Sequence, residues 1–255
     1  MNILELKKTL ASGGVVLGSE VHELAMPAIA ELYAAAGFDF IMVDCEHTSI
    51  DLSAAVEIFR VARGNQIAPF IRVAEVDYAL ICRALDQGAN GIIVPRVTCR
   101  EQVAEAASMV RYPPTGRRGI YAGGSPASYR DMDPNEYVRW ANDAIMLAIM
   151  LESKEAIDGI DNIISVPGVD LVLVGPADLS LSIGHPFEFE HPLEVSLMRK
   201  VVQKCRDRNI PCGCAYWDVD LAKFWVNEGM QFVWIGNEVN MIASCSKDII
   251  ARFRG

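Results

Sequence analysis

AIMLAIMLESKEA (Ala144–Ala156) and VDLVLVGPADLS (Val169–Ser180) are laid out alike: an apolar run, then a carboxylate, then residues suited to a helix. The runs are short, aliphatic and without polar alternation. That pattern predicts strands buried on both faces, as in a parallel sheet. The acids, Glu152 and Asp178, stand about one strand–helix repeat apart. Neighbouring strands lie about 4.8 Å apart, so both acids could reach one divalent cation. Each acid also suits the first turn of a helix by itself, which leaves that reading open beside the metal one.

Working outward, eight strands are expected: Val15–Gly18, Phe40–Asp44, Pro69–Arg72, Gly91–Pro95, Leu147–Leu151, Leu171–Val174, Pro211–Ala215 and Phe232–Gly236. Amphipathic helical patterns lie between them, over Pro27–Ala36, Ser53–Arg63, Tyr78–Gln87, Arg100–Arg111 and Leu193–Asn209. Gly37, Gly88 and Gly229 precede strands and suit left-handed helix C-caps. This alternation predicts an α/β protein, a (β/α)8 TIM barrel spanning residues 1–255 as a single domain. A doubly wound sheet is the alternative, but neither G-x-G-x-x-G nor G-x-x-x-x-G-K-[ST] occurs.

The 255 residues are 51% hydrophobic and 22% charged, a balance that supports one sizeable core. A formal charge of −10 argues against a nucleic-acid partner, which needs a basic face. Small anionic substrates stay compatible, because a local arginine and a metal outweigh the average field. The seven cysteines include no C-x-x-C pair and several sit in apolar runs, as free thiols of a reducing compartment do. Cys212 and Cys214 suit a shared packed strand face better than a zinc site. No signal peptide is recognisable, and Pro, Gly or charge interrupts each apolar run short of a membrane span. The expectation is a cytoplasmic protein without a membrane partner.

In a barrel of this kind, catalytic groups come from the C-terminal strand ends. Those ends give Asp44-Cys45-Glu46-His47 after the second strand, Arg72 at the third, Arg96 at the fourth, and Glu152 and Asp178 at the fifth and sixth. An arginine ending an apolar strand is costly to bury without an anion. His47 suits a base tuned by a carboxylate, although alone it would pass for a polar loop residue. Two carboxylates without clustered His or Cys favour a hard ion, Mg2+ or Mn2+ with Co2+ as a further option. A 2-oxo acid offers such an ion a chelating oxygen pair, and the ion would stabilise the enolate formed from it. A Schiff base would need a lysine in the barrel, and none of the seven lysines falls in an expected strand. The longest irregular stretch, Tyr112–Asp133, carries Arg117, Arg118 and Arg130. These could close over an anion, meet a neighbouring subunit or simply face solvent.

AGFDFIMVDCEHT (Ala36–Thr48), the isolated Arg72, ALDQGANGIIVPRV (Ala84–Val97), RYPPTGRRG (Arg111–Gly119), LESKEA and GPADLS together resemble the HpcH/HpaI family of metal-dependent class II pyruvate aldolases. The motifs run in order over nearly the whole chain. The resemblance implies a (β/α)8 barrel whose C-terminal helix is exchanged between subunits, in a homo-oligomer that is usually a hexamer, a dimer of trimers. It implies that Glu152 and Asp178 bind the metal, that His47 is the general base and that Arg72 steadies the developing enolate. It places Asp86 of an adjacent subunit beside His47, to raise its basicity. It makes Asp44 a support for the His47 loop, and sets the backbone at Ala177 and Asp178 around the pyruvate carboxylate. By itself, Asp86 reads as an exposed acid at a helix C-terminus.

Three departures bear on substrate. Met150 stands where well-known aldolases of the family have a Gln that contacts pyruvate, and a thioether donates no hydrogen bond. IYAGGSPASYR after Gly119 differs from the expected Ala/Arg-rich stretch, and Glu20-Val21 replaces a common aromatic near the first strand. The expected function is a carbon–carbon lyase that cleaves a 4-hydroxy-2-oxo acid to pyruvate, or a close 2-oxo acid, and an aldehyde. The alternatives are decarboxylation of oxaloacetate, another enolate-forming reaction in the same site, or an oxo-acid-binding barrel without catalysis.

Overall fold

The strands β1 (Val16–Val21), β2 (Phe40–Asp44), β3 (Ala68–Arg72), β4 (Gly91–Val94), β5 (Met146–Leu151), β6 (Leu171–Val174), β7 (Cys212–Tyr216) and β8 (Phe232–Asn237) pair in sequence order, all parallel. β8 returns to β1 and closes the expected barrel. The structure, a computed structural model, describes residues 1–127 and 129–255. Ser128, within the long stretch Tyr112–Asp133, lies outside the described residues.

Strand periodicity of two sorts the side chains into two cores. Phe40, Met42, Phe70, Ile93, Ala148, Met150, Leu173 and Phe232 point into the barrel. Ile41, Val43, Ile71, Ile92, Leu147, Ile149, Val172 and Val174 point out beneath the helices. Large and small residues complement each other inside. Phe40, Phe70 and Phe232 form an aromatic trio with centroids 3.9 to 5.8 Å apart. Glycine makes room for it: a Cβ on Gly91 would lie 2.2 Å from the Phe70 ring, and one on Gly18 would lie 2.4 Å from Phe40.

The five expected helices appear over Ala28–Ala36, Leu52–Gly64, Tyr78–Asp86, Arg100–Val110 and Pro192–Asp207. Gly37, Gly88 and Gly229 take φ values of 96°, 110° and 115°, the left-handed conformation that glycine adopts without steric cost. The helix Ile3–Ala11 begins with an Asn2–Glu5 capping box and plugs the barrel's N-terminal end with Ile3, Leu6 and Leu10. Helix Glu238–Arg254 ends the chain, and Glu238 is its one buried residue. Its Ile242, Ile249, Ile250 and Phe253 are 52%, 56%, 48% and 88% exposed, an apolar face uncovered within one chain.

All seven cysteines are free thiols. Cys212 and Cys214 pack together into the outer core, as their strand spacing predicts. Among the described residues no helix is long and apolar enough to cross a membrane.

Candidate active site

The same alternation that fills the barrel brings charge to its C-terminal rim. Continuing each inward set by two residues leads from Gly18 to Glu20, from Met42 to Asp44, from Phe70 to Arg72 and from Met150 to Glu152. Asp44 stands in register with Arg72 across β2 and β3. Leu151 pairs with Val174, which sets Glu152 beside Gly175. A Cβ on Gly175 would lie 2.5 Å from Glu152 Oε1, so glycine here makes the space the carboxylate occupies. Pro176 then starts the helix Pro176–Ser182 at its first turn, where its missing N–H costs nothing, and Asp178 sits in that turn. Glu152, Asp178, Arg72, His47, Met150 and Ala177 all line one cavity of about 540 Å³.

Arg72 is the electrostatic hub. Its Nε donates to Asp44 Oδ1 at 2.7 Å, and its Nη2 donates to Glu20 Oε1 at 3.3 Å. Glu46 lies 3.5 Å from the same guanidinium. Burial works against the arginine's charge, but Asp44 more than offsets it and holds the guanidinium protonated. Burial likewise opposes ionisation of Asp44, yet Arg72 and the amides of Glu46 and His47 keep its carboxyl below the usual range. Those amides donate to Asp44 at 2.9 and 3.2 Å, which fastens the loop carrying His47. His47 itself is half-exposed, with Nε2 3.6 Å from Glu46 Oε2. Glu46 Oε1 lies 2.8 Å from Arg96 Nε without hydrogen-bond alignment.

Glu152 has a different environment. Its Oε2 accepts the backbone N–H of Arg96 at 2.5 Å. Burial pushes its carboxyl up to about 7, and the nearby charges of Glu46 and Asp178 add to the rise. Arg72 turns its guanidinium to Asp44, Glu20 and Glu46 rather than to this pair. The buried Glu152 carboxyl and the exposed Asp178 facing one cavity, with the space that Gly175 leaves beside Glu152, fit a hard divalent cation.

Asp86 is not at this cavity. It ends the helix Tyr78–Asp86, and its Oδ1 accepts from Arg118 Nη2 at 2.7 Å in the same chain. Arg118 is fully buried over the Tyr112 ring, and Arg117 pairs with Glu105 at the surface. Neither they nor Arg130 line the cavity.

Three site residues escape a linear reading. Glu20 is 5% exposed, and burial pushes its carboxyl up to about 7 against the opposing pull of Arg72. His22 Nδ1 lies 3.3 Å from Glu20 Oε1. Glu238, opening the C-terminal helix, accepts the backbone N–H groups of His22, Glu23 and Leu24 at 2.9, 2.6 and 2.7 Å. The signal is an acid two residues beyond Gly18, where the expected first strand ends, on the strand that in fact runs to Val21. Glu20, His22 and Asp44 also bring ligand atoms within 4.8 Å of one another, as do His185, Glu188 and His191 on the surface. In the first trio both acids already contact Arg72.

The family model of HpcH/HpaI aldolase/citrate lyase matches residues 22–245. The hydroxypyruvate/pyruvate aldolase of Pseudomonas aeruginosa is 33% identical over 249 residues, covering 98% of this chain and 92% of its own. The pyruvate aldolase of Rhizobium etli is 33% identical over 224 residues, covering 88% and 87%. The crystal structure of the HpcH/HpaI aldolase from Desulfitobacterium hafniense superposes with a TM-score of 0.90 at 31% identity, covering 96% and 95% of the two chains. The chain belongs to the HpcH/HpaI aldolase/citrate lyase family and is an aldolase, a carbon–carbon lyase.

Proposed function

We propose that the protein cleaves a 4-hydroxy-2-oxo acid to pyruvate, or a close 2-oxo acid, and an aldehyde, with Glu152 and Asp178 holding a divalent ion. The observation that carries this reading is the convergence of Glu152, Asp178, Arg72 and His47 on one cavity at the barrel's C-terminal end. Mg2+ or Mn2+ suits the all-oxygen donor pair, and such an ion supplies Lewis-acid stabilisation to the enolate of the 2-oxo acid.

The chain's own groups do the rest. The Arg72 guanidinium, preset by Asp44, offers its remaining N–H groups to the oxygen on which negative charge develops. His47 moves the proton between the substrate hydroxyl and solvent. The first-turn backbone at Ala177 and Asp178 receives the substrate carboxylate, a task that Met150, having no donor, leaves to it. The exposed apolar face of the C-terminal helix supports its exchange into a neighbouring subunit of a homo-oligomer.

Release of pyruvate from 4-hydroxy-2-oxopentanoate, followed by coupled reduction to lactate, tests the reading. Activity should vanish with a chelator, return with Mg2+ or Mn2+, and fail to return in Glu152→Ala. Equal activity with and without the ion would overturn it.

A further inference from the structure

The segment 183–191 joins the helix that carries Asp178 to the helix Pro192–Asp207, and it holds two of the chain's four histidines. His185, Glu188 and His191 recur at every third residue, and backbone turns bring them to one side. The Glu188 N–H donates to the His185 carbonyl at 3.1 Å, and the His191 N–H donates to the Glu188 carbonyl at 2.8 Å. The side chains gather as a result. His185 Nδ1 lies 3.4 Å from Glu188 Oε2, and the two imidazole rings stack with centroids 3.7 Å apart. Each of the three offers a ligand atom within 4.8 Å of the others. A tetrahedral ion with bonds of about 2.1 Å needs its ligand atoms about 3.4 Å apart. The His185 and Glu188 side chains are 40% and 62% exposed, so rotation about their own bonds can close the difference.

The donor set selects the ion. Two imidazoles and a carboxylate suit Zn2+, Ni2+ or Cu2+, whereas Mg2+ and Mn2+ prefer oxygen sets such as Glu152 with Asp178. The segment also carries Glu190 beside Glu188 and has no lysine or arginine, a local charge that favours a cation. One contact opposes binding. His191 caps its helix by accepting the Leu193 N–H on Nδ1 at 3.3 Å. Coordination through Nδ1 displaces that bond, and coordination through Nε2 moves the ring proton onto Nδ1, so either mode gives it up. The bond is long and exposed, and Pro192 beside it has no N–H to strand, so the loss is small.

The start of the segment is already fixed. The Ser180 carbonyl accepts the His185 N–H at 2.9 Å, and Ser180 Oγ accepts the Phe187 N–H at 2.9 Å. Between the ligands, Phe189 reaches the active-site cavity and packs edge to face on Tyr216, with centroids 5.5 Å apart. An ion held by His185 and His191 ties the two ends of the loop that carries Phe189.

We propose that His185, Glu188 and His191 bind one borderline transition ion of the Zn2+ and Ni2+ class, at a site separate from the pair Glu152 and Asp178. The proposal stands on these residues alone and does not depend on the aldolase chemistry.

The test is calorimetric titration of Ni2+ into Glu152→Ala protein in excess Mg2+, which keeps the active-site pair out of the readout. One Ni2+ per chain should bind, and Tm should rise with Ni2+ concentration. His185→Gln and His191→Asn should each weaken binding at least about tenfold, the least that losing even a ligand's own support costs. Asparagine is a good helix cap, so lost binding in His191→Asn is not lost folding. Absence of binding overturns the proposal, and so does displacement of Ni2+ by Mg2+. Equal affinity in both variants also overturns it, because the ion is then held adventitiously by other histidines or cysteines.

Discussion

Asp44 ties Arg72 to the His47 loop: its Oδ1 takes the arginine's Nε–H at 2.7 Å, and its carboxylate also takes the amides of Glu46 and His47. A fully buried acid thereby fixes the guanidinium and the loop carrying the proposed base in one frame. Neither group can drift without breaking a charge-assisted hydrogen bond.

Arg72→Lys keeps the charge but loses the planar fork that reaches Asp44 and Glu20 together. We expect kcat to fall on the order of a hundredfold, the scale of losing one preorganised oxyanion donor. Steady-state kinetics at saturating metal checks this, and an unchanged kcat would remove Arg72 from the proposed role.

Metal binding should release a proton at mildly acid pH. Burial raises the Glu152 carboxyl to about 7, so below that pH the metal-free protein holds a proton that the ion must displace. Mn2+ affinity should weaken by about tenfold per pH unit below 7 and level off above it. Calorimetric titrations from acid to alkaline pH would show this, whereas a flat affinity would contradict the placement of Glu152 at the ion.

Asp86→Ala should destabilise the fold before it touches catalysis. The substitution strands Arg118, whose side chain is 0% exposed, and such breakage of a buried pair costs about 3–5 kcal/mol. Thermal unfolding should show the loss, and Arg118→Met added to Asp86→Ala should restore much of it. A variant with native Tm but a shifted pH–kcat profile would instead place Asp86 on the His47 of another subunit.

The barrel was legible because its strands are short aliphatic runs buried on both faces, and β6 falls at Leu171–Val174 as read. The first strand runs on to Val21, past the expected end at Gly18, and carries Glu20. Arg72, from another strand, and His22 both contact that acid, and no linear pattern announces such partners. Glu152, Asp178, Arg72 and His47, the polar residues that follow apolar strands in the sequence, line one cavity. His22 and Glu238 follow no such rule, being joined across the closure of β1 on β8. The plug helix Ile3–Ala11 also went unmarked, although Asn2 and Glu5 form its capping box.

Glu194 supplies a stability test away from the active site. It is 0% exposed, both carboxylate oxygens have no hydrogen-bond partner among the described residues, and burial raises it from 4.5 to about 7. The folded state therefore keeps this proton longer than the unfolded chain. The penalty is absent below pH 4.5, accumulates as pH rises towards 7 and is complete above it. Glu194→Leu should stabilise by about 1–3 kcal/mol more at pH 8 than in acid, as Tm measured at the two pH values would show.

The most direct measurement is deuterium exchange into the methyl group of pyruvate, followed by NMR, with and without Mg2+ or Mn2+. The account predicts exchange that requires the ion and disappears in Glu152→Ala and Asp178→Ala. Exchange that survives in either variant, or that fails with both ions in the native protein, would contradict it.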